Sequence, residues 1–366
     1  MCNKQSVGIF VVLATLCVMR WEWDASLGYR RGAVTKLYDE HKVPARKSSK
    51  QLYSTLARDT LLPGGTRRTQ RPRLNDEYLD RFIVVPEYKL LFCYQEKVGC
   101  SMFNHLFRML RLLHPSLLHP SNAEEAAFQA EMTWGRNTPE HHNISKSELE
   151  EMLLNASWTK AVFFRDPATR FLSAYRSKCV LKERAKGTVD HCRHSFGRPR
   201  IPWGTVPFEH ALEELNHQPG KVFDDEHFTP AHTFCGGLDR TLDYYDFVHQ
   251  LRKPTAPKHI QRLFRRLGVD ANSTNYLIQN VVKTGGTALE RDEALLRKKY
   301  RQGLVQLHAS ATQQKGHNTG SNKGNALQDS YGRDENLQVI YDRYANDYDL
   351  FELPRLGLEG LHNAGV

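Results

Sequence analysis

Several common functional classes are hard to reconcile with what this sequence lacks. It carries seven cysteines in 366 residues, none with the paired spacing of a zinc site, and no structural metal is expected. No internal repeat is present. The Walker A pattern G-x-x-x-x-G-K-[ST] is missing, and no metal-binding Asp follows a strand-like run, as a P-loop kinase would require. The N-terminal apolar run, Val7 to Met19, falls short of the ~20 residues of an ordinary spanning helix, and no small-x-small cleavage site follows it.

What is present is basic and otherwise ordinary. Lys and Arg number 51 against 41 Asp and Glu, a formal net charge of +10, with 40% hydrophobic residues, enough to bury a core. The excess favours an anionic partner: nucleic acid, polysaccharide, nucleotide or acidic lipid. Lys4 precedes the apolar run, and Trp21 and Trp23 follow it, where an interfacial aromatic belt would lie. This asymmetry predicts a cytosolic tail over 1–6, an uncleaved signal-anchor over 7–23 and a lumenal body. Residues 24–77, with RRTQRPR near their end, read as a solvated stem. A catalytic domain is expected over 78–355, and a tail over 356–366. Sequons at Asn143, Asn155 and Asn272 fit lumenal exposure. Lumenal cysteines form disulfides, and Cys93, Cys100, Cys179, Cys192 and Cys235 are odd in number, so at least one is free or pairs with another chain. Cys179 and Cys192 are close enough in sequence for a local pair, but spacing does not fix the connectivity.

Two strand–loop–helix units stand out. YKLLFCY at Tyr88 to Tyr94 is a β-prone run, Gln95 to Gly99 a polar turn, and Phe103, Leu106, Phe107, Leu110 and Leu113 recur at helical spacing. KAVFF at Lys160 to Phe164 repeats the logic: Asp166 and Pro167 start a helix carrying Phe171, Leu172, Tyr175 and Cys179. Alternation of strands and helices argues an α/β fold with a parallel sheet. Helices are expected over Phe208 to Leu215, Ile260 to Leu267 and Leu289 to Tyr300, a loop over Ala309 to Ala326, and one closing helix over Leu337 to Phe351.

Each unit places anion-binding chemistry at a strand end. In the first, Lys97, Val98, Gly99, Cys100, Ser101 and Met102 span the turn and the helix N-terminus, where free N–H groups and the helix dipole favour phosphate or sulfate. Gly99 permits close approach, Lys97 supplies a mobile charge and Ser101 a hydroxyl. An ordinary turn with a surface lysine would look the same. In the second, Arg165, Asp166, Pro167, Arg170 and Ser173 follow the strand's C-terminal edge, where open α/β sheets bind ligands. An Arg fork with a hydroxyl two turns on suits a second phosphate.

Together, KVGCS after FCY and RDPATRFLSAYRSK resemble the donor-binding motifs of carbohydrate sulfotransferases related to the chondroitin 4-O- and HNK-1 sulfotransferases. Phe208-Glu209-His210, Glu226 to Pro230, Cys235, Tyr245 to Val248 and Tyr341 to Phe351 resemble later segments of the same family, in patches from about Tyr88 to Phe351. The resemblance implies a P-loop-like sulfotransferase fold, a central parallel sheet flanked by helices. It also implies 3′-phosphoadenosine 5′-phosphosulfate as co-substrate without a metal, a Golgi type II membrane location, and a glycan or glycosaminoglycan acceptor rather than nucleic acid. The basic charge favours an anionic acceptor. Three departures matter. Glu96 stands where the family usually has Pro, Leu238 where a second cysteine often stands, and Ser101-Met102-Phe103 replaces a Thr-Asn-Trp-like stretch.

On this scheme Lys97 neutralises the leaving phosphate and Arg165 with Ser173 anchors the 3′-phosphate. The base is expected to be a histidine, since imidazole works near neutral pH. His227, in the family-like E-H-F segment, is the first choice; His141 and His142, between the two motifs, are alternatives, and a structural role for His227 is equally open. Two further readings stay open: another P-loop nucleotide enzyme such as a kinase, and a non-catalytic lumenal polyanion-binding protein using the basic segments 182–200 and 252–266.

Overall fold

Two short apolar runs, FIVV and LLFC, are rich in β-branched and aromatic residues and form β1 (Phe82–Val85) and β2 (Leu90–Cys93). The computed structural model to which they belong describes residues 71–114, 137–180, 188–197, 206–283 and 326–358. A turn at Pro86–Tyr88 followed by Lys89 in the left-handed region reverses the chain, so β1 and β2 pair antiparallel. β3 (Thr159–Phe164) runs parallel to β2, and β4 (Phe247–Gln250) parallel to β3, in the order β1-β2-β3-β4. The expected parallel sheet is therefore three parallel strands with an antiparallel edge. Parallel alignment brings the C-terminal ends of β2, β3 and β4 to one edge.

Helices cover both faces, as a parallel sheet requires. They are α1 (Cys100–Leu112), α2 (Lys146–Leu154), α3 (Pro167–Tyr175), α4 (Thr188–Phe196), α5 (Phe208–His217), α6 (Pro219–Phe223), α7 (Phe234–Thr241), α8 (Ala256–Arg266) and α9 (Ala271–Leu277), followed by α10 (Ala326–Tyr331), α11 (Asp334–Arg343) and α12 (Ala345–Leu350). Alternation along the strands divides the core. Phe92, Ala161, Phe163 and Phe247 pack against α1, α8 and α9 on one face. Leu91, Cys93, Val162 and Phe164 pack against α2 and the start of α7 on the other. A third cluster joins α3, α4 and α5 to the C-terminal helices.

The second face is tied by a disulfide between Cys93 and Cys235, and Cys179 bonds Cys192, leaving Cys100 as the free thiol among the described residues. The first bridge spans 142 residues, and a loop of that length removes enough unfolded-chain entropy to stabilise the fold by about 4–5 kcal/mol. The chain around it is left-handed at Cys235 and Gly236, and a Cβ on Gly236 would lie 2.7 Å from Leu74 Cδ2. Only glycine lets the chain from Leu74 pack there, so ordered structure reaches upstream of Tyr78.

The closing segment differs from its expected form. It is two helices broken at Tyr344 rather than one, with Tyr344 at the break and Tyr348 beyond it reaching different partners. Tyr331 donates its hydroxyl to the Ala168 carbonyl (2.9 Å), Tyr344 to Phe228 O (2.5 Å) and Tyr348 to Asp166 Oδ2 (3.3 Å). Buried phenols find partners in this way. Here the partners are the backbone and cap of the two segments that shape the site. Among the described residues no helix is long and apolar enough to cross a membrane. The anchor at 7–23, the helix at 289–300, the segment 182–187 and nearly all of the loop at 309–326 lie outside the described residues.

Candidate functional site

The turn after β2 crosses twice into left-handed backbone, at Lys97 (φ 66°) and Gly99 (φ 72°). A non-glycine residue held there costs on the order of 1 kcal/mol, which a turn shaped for a ligand tolerates. At Gly99 an added Cβ would lie 3.1 Å from Leu251 Cδ2, so the loop packs directly against the chain leaving β4. Cys100 then opens α1, with Ser101 exposed and Val98 and Met102 buried beneath. Val98 and Met102 can offer a ligand only backbone groups.

Asp166 caps α3, accepting from Thr169 N (3.0 Å) and Oγ1 (3.2 Å), and Pro167 fills the first turn. Asp166 is fully enclosed and burial raises its pKa, so its work is structural. Arg170 is also internal. Its Nε donates to Glu96 O (3.0 Å) and its Nη2 to Thr229 O (2.5 Å), and its guanidinium lies over the Phe234 ring. Arg170 is thus a brace between the Lys97 loop, α3 and the His227 segment. Ser173, one turn further along α3, is nearly buried.

Arg165 faces the loop: Nη1 donates to Lys97 O at 3.4 Å. Burial pushes the Lys97 ammonium down to about 8, with the positive charges of Lys178 and Arg165 adding to the effect and Cys100 and Glu96 opposing it. Burial likewise pushes Arg165 down to about 10. Desolvated cations gathered at one strand edge repel one another until an anion joins them. The buried Gln95 carboxamide, at the start of the loop, has no partner for either polar atom among the described residues. Unsatisfied buried donors and clustered cations are what a polar, multiply charged ligand would satisfy, so the residues fit a phosphate-bearing donor.

Beside the cations lies an acid–base group. His227 Nδ1 contacts Asp225 Oδ1 at 2.7 Å, and its own backbone N–H donates to the same oxygen at 2.9 Å. His191, from α4, contacts Asp225 Oδ2 through Nδ1 at 2.8 Å. Burial raises the Asp225 pKa, but the two histidines outweigh it and hold the carboxyl well below the usual range. A carboxylate only accepts, so each Nδ1 carries the hydrogen and each Nε2 is left as the basic atom. The three side chains place ligand atoms within 4.8 Å of one another, a spacing that could hold a metal ion, and direct hydrogen bonds already account for it. Glu96 joins the two halves: Oε2 accepts from Cys100 Sγ (3.1 Å) and faces His227 Nε2 at 3.9 Å, while Oε1 is 3.7 Å from Arg81 Nη1.

Of the residues that sequence reading named, the fold sets Lys97 beside Arg165 and brings His227 to Glu96 next to them, while Ser173 is buried further along α3. Asp225, His191, Arg81 and Lys178 were missed. Asp225 had a local signal, a carboxylate two residues before a histidine. His191 had none, being 34 residues from its partner. His141 and His142 lie in the turn ahead of α2 with their rings edge-on to each other. Asn143, Asn155 and Asn272 are all exposed.

Residues 80–354 match the family described as "Sulfotransferase family". Among curated proteins, the chain is 26% identical over 267 residues to carbohydrate sulfotransferase 12 of Mus musculus, covering 66% of this chain and 62% of that protein. It is 23% identical to carbohydrate sulfotransferase 14 of Danio rerio, over 50% of each chain, and 28% identical to the Homo sapiens protein of that name, over 51% of this chain and 45% of that one. The chain thus spans between 45% and 62% of the length of these relatives. No solved structure matches it.

Proposed function

This chain belongs to the sulfotransferase family, and from that premise we propose that it moves a sulfuryl group from 3′-phosphoadenosine 5′-phosphosulfate to a sugar hydroxyl of a glycan or glycosaminoglycan. One observation carries the reading: desolvated Lys97 and Arg165 share a strand edge with an imidazole oriented by a buried carboxylate. The names of the mouse, zebrafish and human relatives favour a carbohydrate acceptor.

The roles follow from chemistry. Sulfuryl transfer needs acceptor oxygen, sulfur and leaving oxygen in line, and compensation for spread charge. Lys97, with the backbone of Val98, Gly99, Cys100, Ser101 and Met102 at the N-terminus of α1, holds the 5′-phosphosulfate and neutralises the leaving phosphate. Arg165 and Ser173 hold the 3′-phosphate. Asp166, Pro167 and Arg170 position them. His227 Nε2 takes the acceptor proton, and Asp225 keeps the imidazole in the tautomer that can accept it. The scheme calls on no metal.

The same reading places the chain in the Golgi membrane as a single-pass type II protein anchored by residues 7–23, with glycans on Asn143, Asn155 and Asn272. Its acceptor is a glycan or glycosaminoglycan rather than a nucleic acid, as the names of the relatives favour. The test is transfer of radiolabelled sulfate from the donor to a panel of polysaccharides, with linkage analysis of the product. Label on a sugar hydroxyl is the expected result; a protein that binds the polysaccharides without transferring label is a polyanion-binding protein and not this enzyme.

A further inference from the structure

Glu96 sets a charged group between the Lys97 loop and the His227 segment. Its carboxylate is only 11% exposed and is held from three sides. Arg81 Nη1 lies 3.7 Å from Oε1, while Oε2 accepts from the Cys100 thiol at 3.1 Å and faces His227 Nε2 at 3.9 Å. Cys100 keeps its proton, because burial and the Glu96 charge push the thiol up to about 12. Asp225 holds the hydrogen of His227 on Nδ1. Glu96 Oε2 and His227 Nε2 are therefore two hydrogen-bond acceptors facing each other, too far apart to bond and with no donor between them among the described residues.

Such a pair calls for a ligand with two donors. A lone hydroxyl has one proton and satisfies one side. Two neighbouring hydroxyls on a sugar ring satisfy both, each donating to its own acceptor at ordinary hydrogen-bond length. We propose that Glu96 is a specificity-determining residue that reads a free hydroxyl adjacent to the one sulfated, so that the acceptor is a sugar bearing a vicinal diol. This rests on the sulfuryl-transfer reading above. The nucleophilic hydroxyl donates to His227 Nε2 and its neighbour to Glu96 Oε2. In the transfer, the acceptor O–S bond forms and its proton passes to His227 Nε2. The S–O bond to the 5′-phosphate breaks, and its electron pair stays on the phosphate, beside Lys97. Glu96 neither gains nor loses a proton. An acceptor already sulfated at the neighbouring position would bring an anion against the Glu96 carboxylate and be rejected. Anionic groups elsewhere along a polysaccharide are unaffected.

The experiment uses the full chain, labelled donor, and methyl β-galactopyranoside and methyl β-glucopyranoside in three versions: with all ring hydroxyls free, with single hydroxyls replaced by hydrogen, and with single hydroxyls carrying a sulfate ester. A charged hydrogen-bond partner predicts that removing one particular hydroxyl, adjacent to the sulfated one, lowers kcat/KM roughly 10- to 100-fold, and that a sulfate ester there lowers it further. Glu96→Gln shrinks the preference for the free diol over the neighbour-sulfated sugar at least about tenfold, whereas Glu96→Asp, which keeps the charge, preserves the ranking. Unchanged affinity of both variants for adenosine 3′,5′-bisphosphate shows that they fold and hold the donor. The proposal fails if the wild type treats diol and deoxy sugars alike, or if Glu96→Gln keeps the wild-type ranking. A wild type that transfers label to none of these sugars nor to any polysaccharide removes the sulfotransferase reading itself, and the diol reading with it.

Discussion

The two halves of the site are built by opposite means. At the strand edge, Lys97 and Arg165 are partly buried cations set near each other; burial lowers the pKa of both, and the charges of Lys178 and Arg165 lower that of Lys97 further. Around Asp225 two imidazoles share one carboxylate, whose pKa falls despite burial. The first half gathers cations whose protonated forms burial disfavours, and in the second a carboxylate already orients the imidazoles. Binding of a charged donor is therefore expected to depend on the first half, and proton transfer on the second.

The sharpest way to break this contrast is to remove one residue from each half. Lys97→Ala is expected to abolish turnover, a loss of about 10³-fold or more in kcat, since its charge matters most when the phosphate leaves. His227→Gln is expected to lower kcat by about 10²–10⁴-fold while leaving affinity for adenosine 3′,5′-bisphosphate intact. Near-normal turnover by a folded Lys97→Ala protein, or weakened nucleotide binding in His227→Gln, would erase the division of labour.

Within the donor half a smaller comparison applies. Arg165→Ala should weaken binding of adenosine 3′,5′-bisphosphate by about 1.5–3 kcal/mol, and Ser173→Ala by about 0.5–1.5 kcal/mol, because a charged fork outweighs a neutral hydroxyl. Titration calorimetry reads both. Equal affinity in wild type and Arg165→Ala would remove the 3′-phosphate role.

The smallest effect is on pH. Lys97 has a folded pKa of about 8, below its ordinary 10.5, so it loses its proton as pH rises through about 8 in the free protein. Because kcat/KM reports the free enzyme, kcat/KM for the donor should fall up to about tenfold per pH unit above that value. Lys97→Arg, which holds its proton, should move that limb to higher pH. A profile flat to pH 9.5 would show that the Lys97 charge is not what the donor meets.

Local signals in the sequence were enough to place the strand ends and helix starts that carry Lys97 and Arg165. The β-prone runs ending at Cys93 and Phe164, the polar turn, and Asp166 before Pro167 each announce a strand end or a helix start, and Lys97 and Arg165 sit at those ends. The closing segment showed its aromatic character, but not its break at Tyr344, where Tyr344 and Tyr348 reach Phe228 and Asp166 far away in the chain. Asp166 before Pro167 announced the helix start that it caps, whereas Arg170 sat inside a motif that marks it for the donor, and only packing showed it to be a brace.

By itself, then, the sequence determined the alternation of strands and helices and the two strand–loop–helix turns that carry Lys97 and Arg165, because each depends on residues close together in the chain, where backbone propensity, capping and spacing act; it offered Cys179–Cys192 as one local pairing, which the structure then formed. Tertiary structure alone decided that Cys93 pairs with Cys235, that His191 joins His227 on Asp225, and that Glu96 faces an imidazole lone pair. Those outcomes depend on which distant segments the sheet and its covering helices bring within a few ångströms, and on the desolvation that follows.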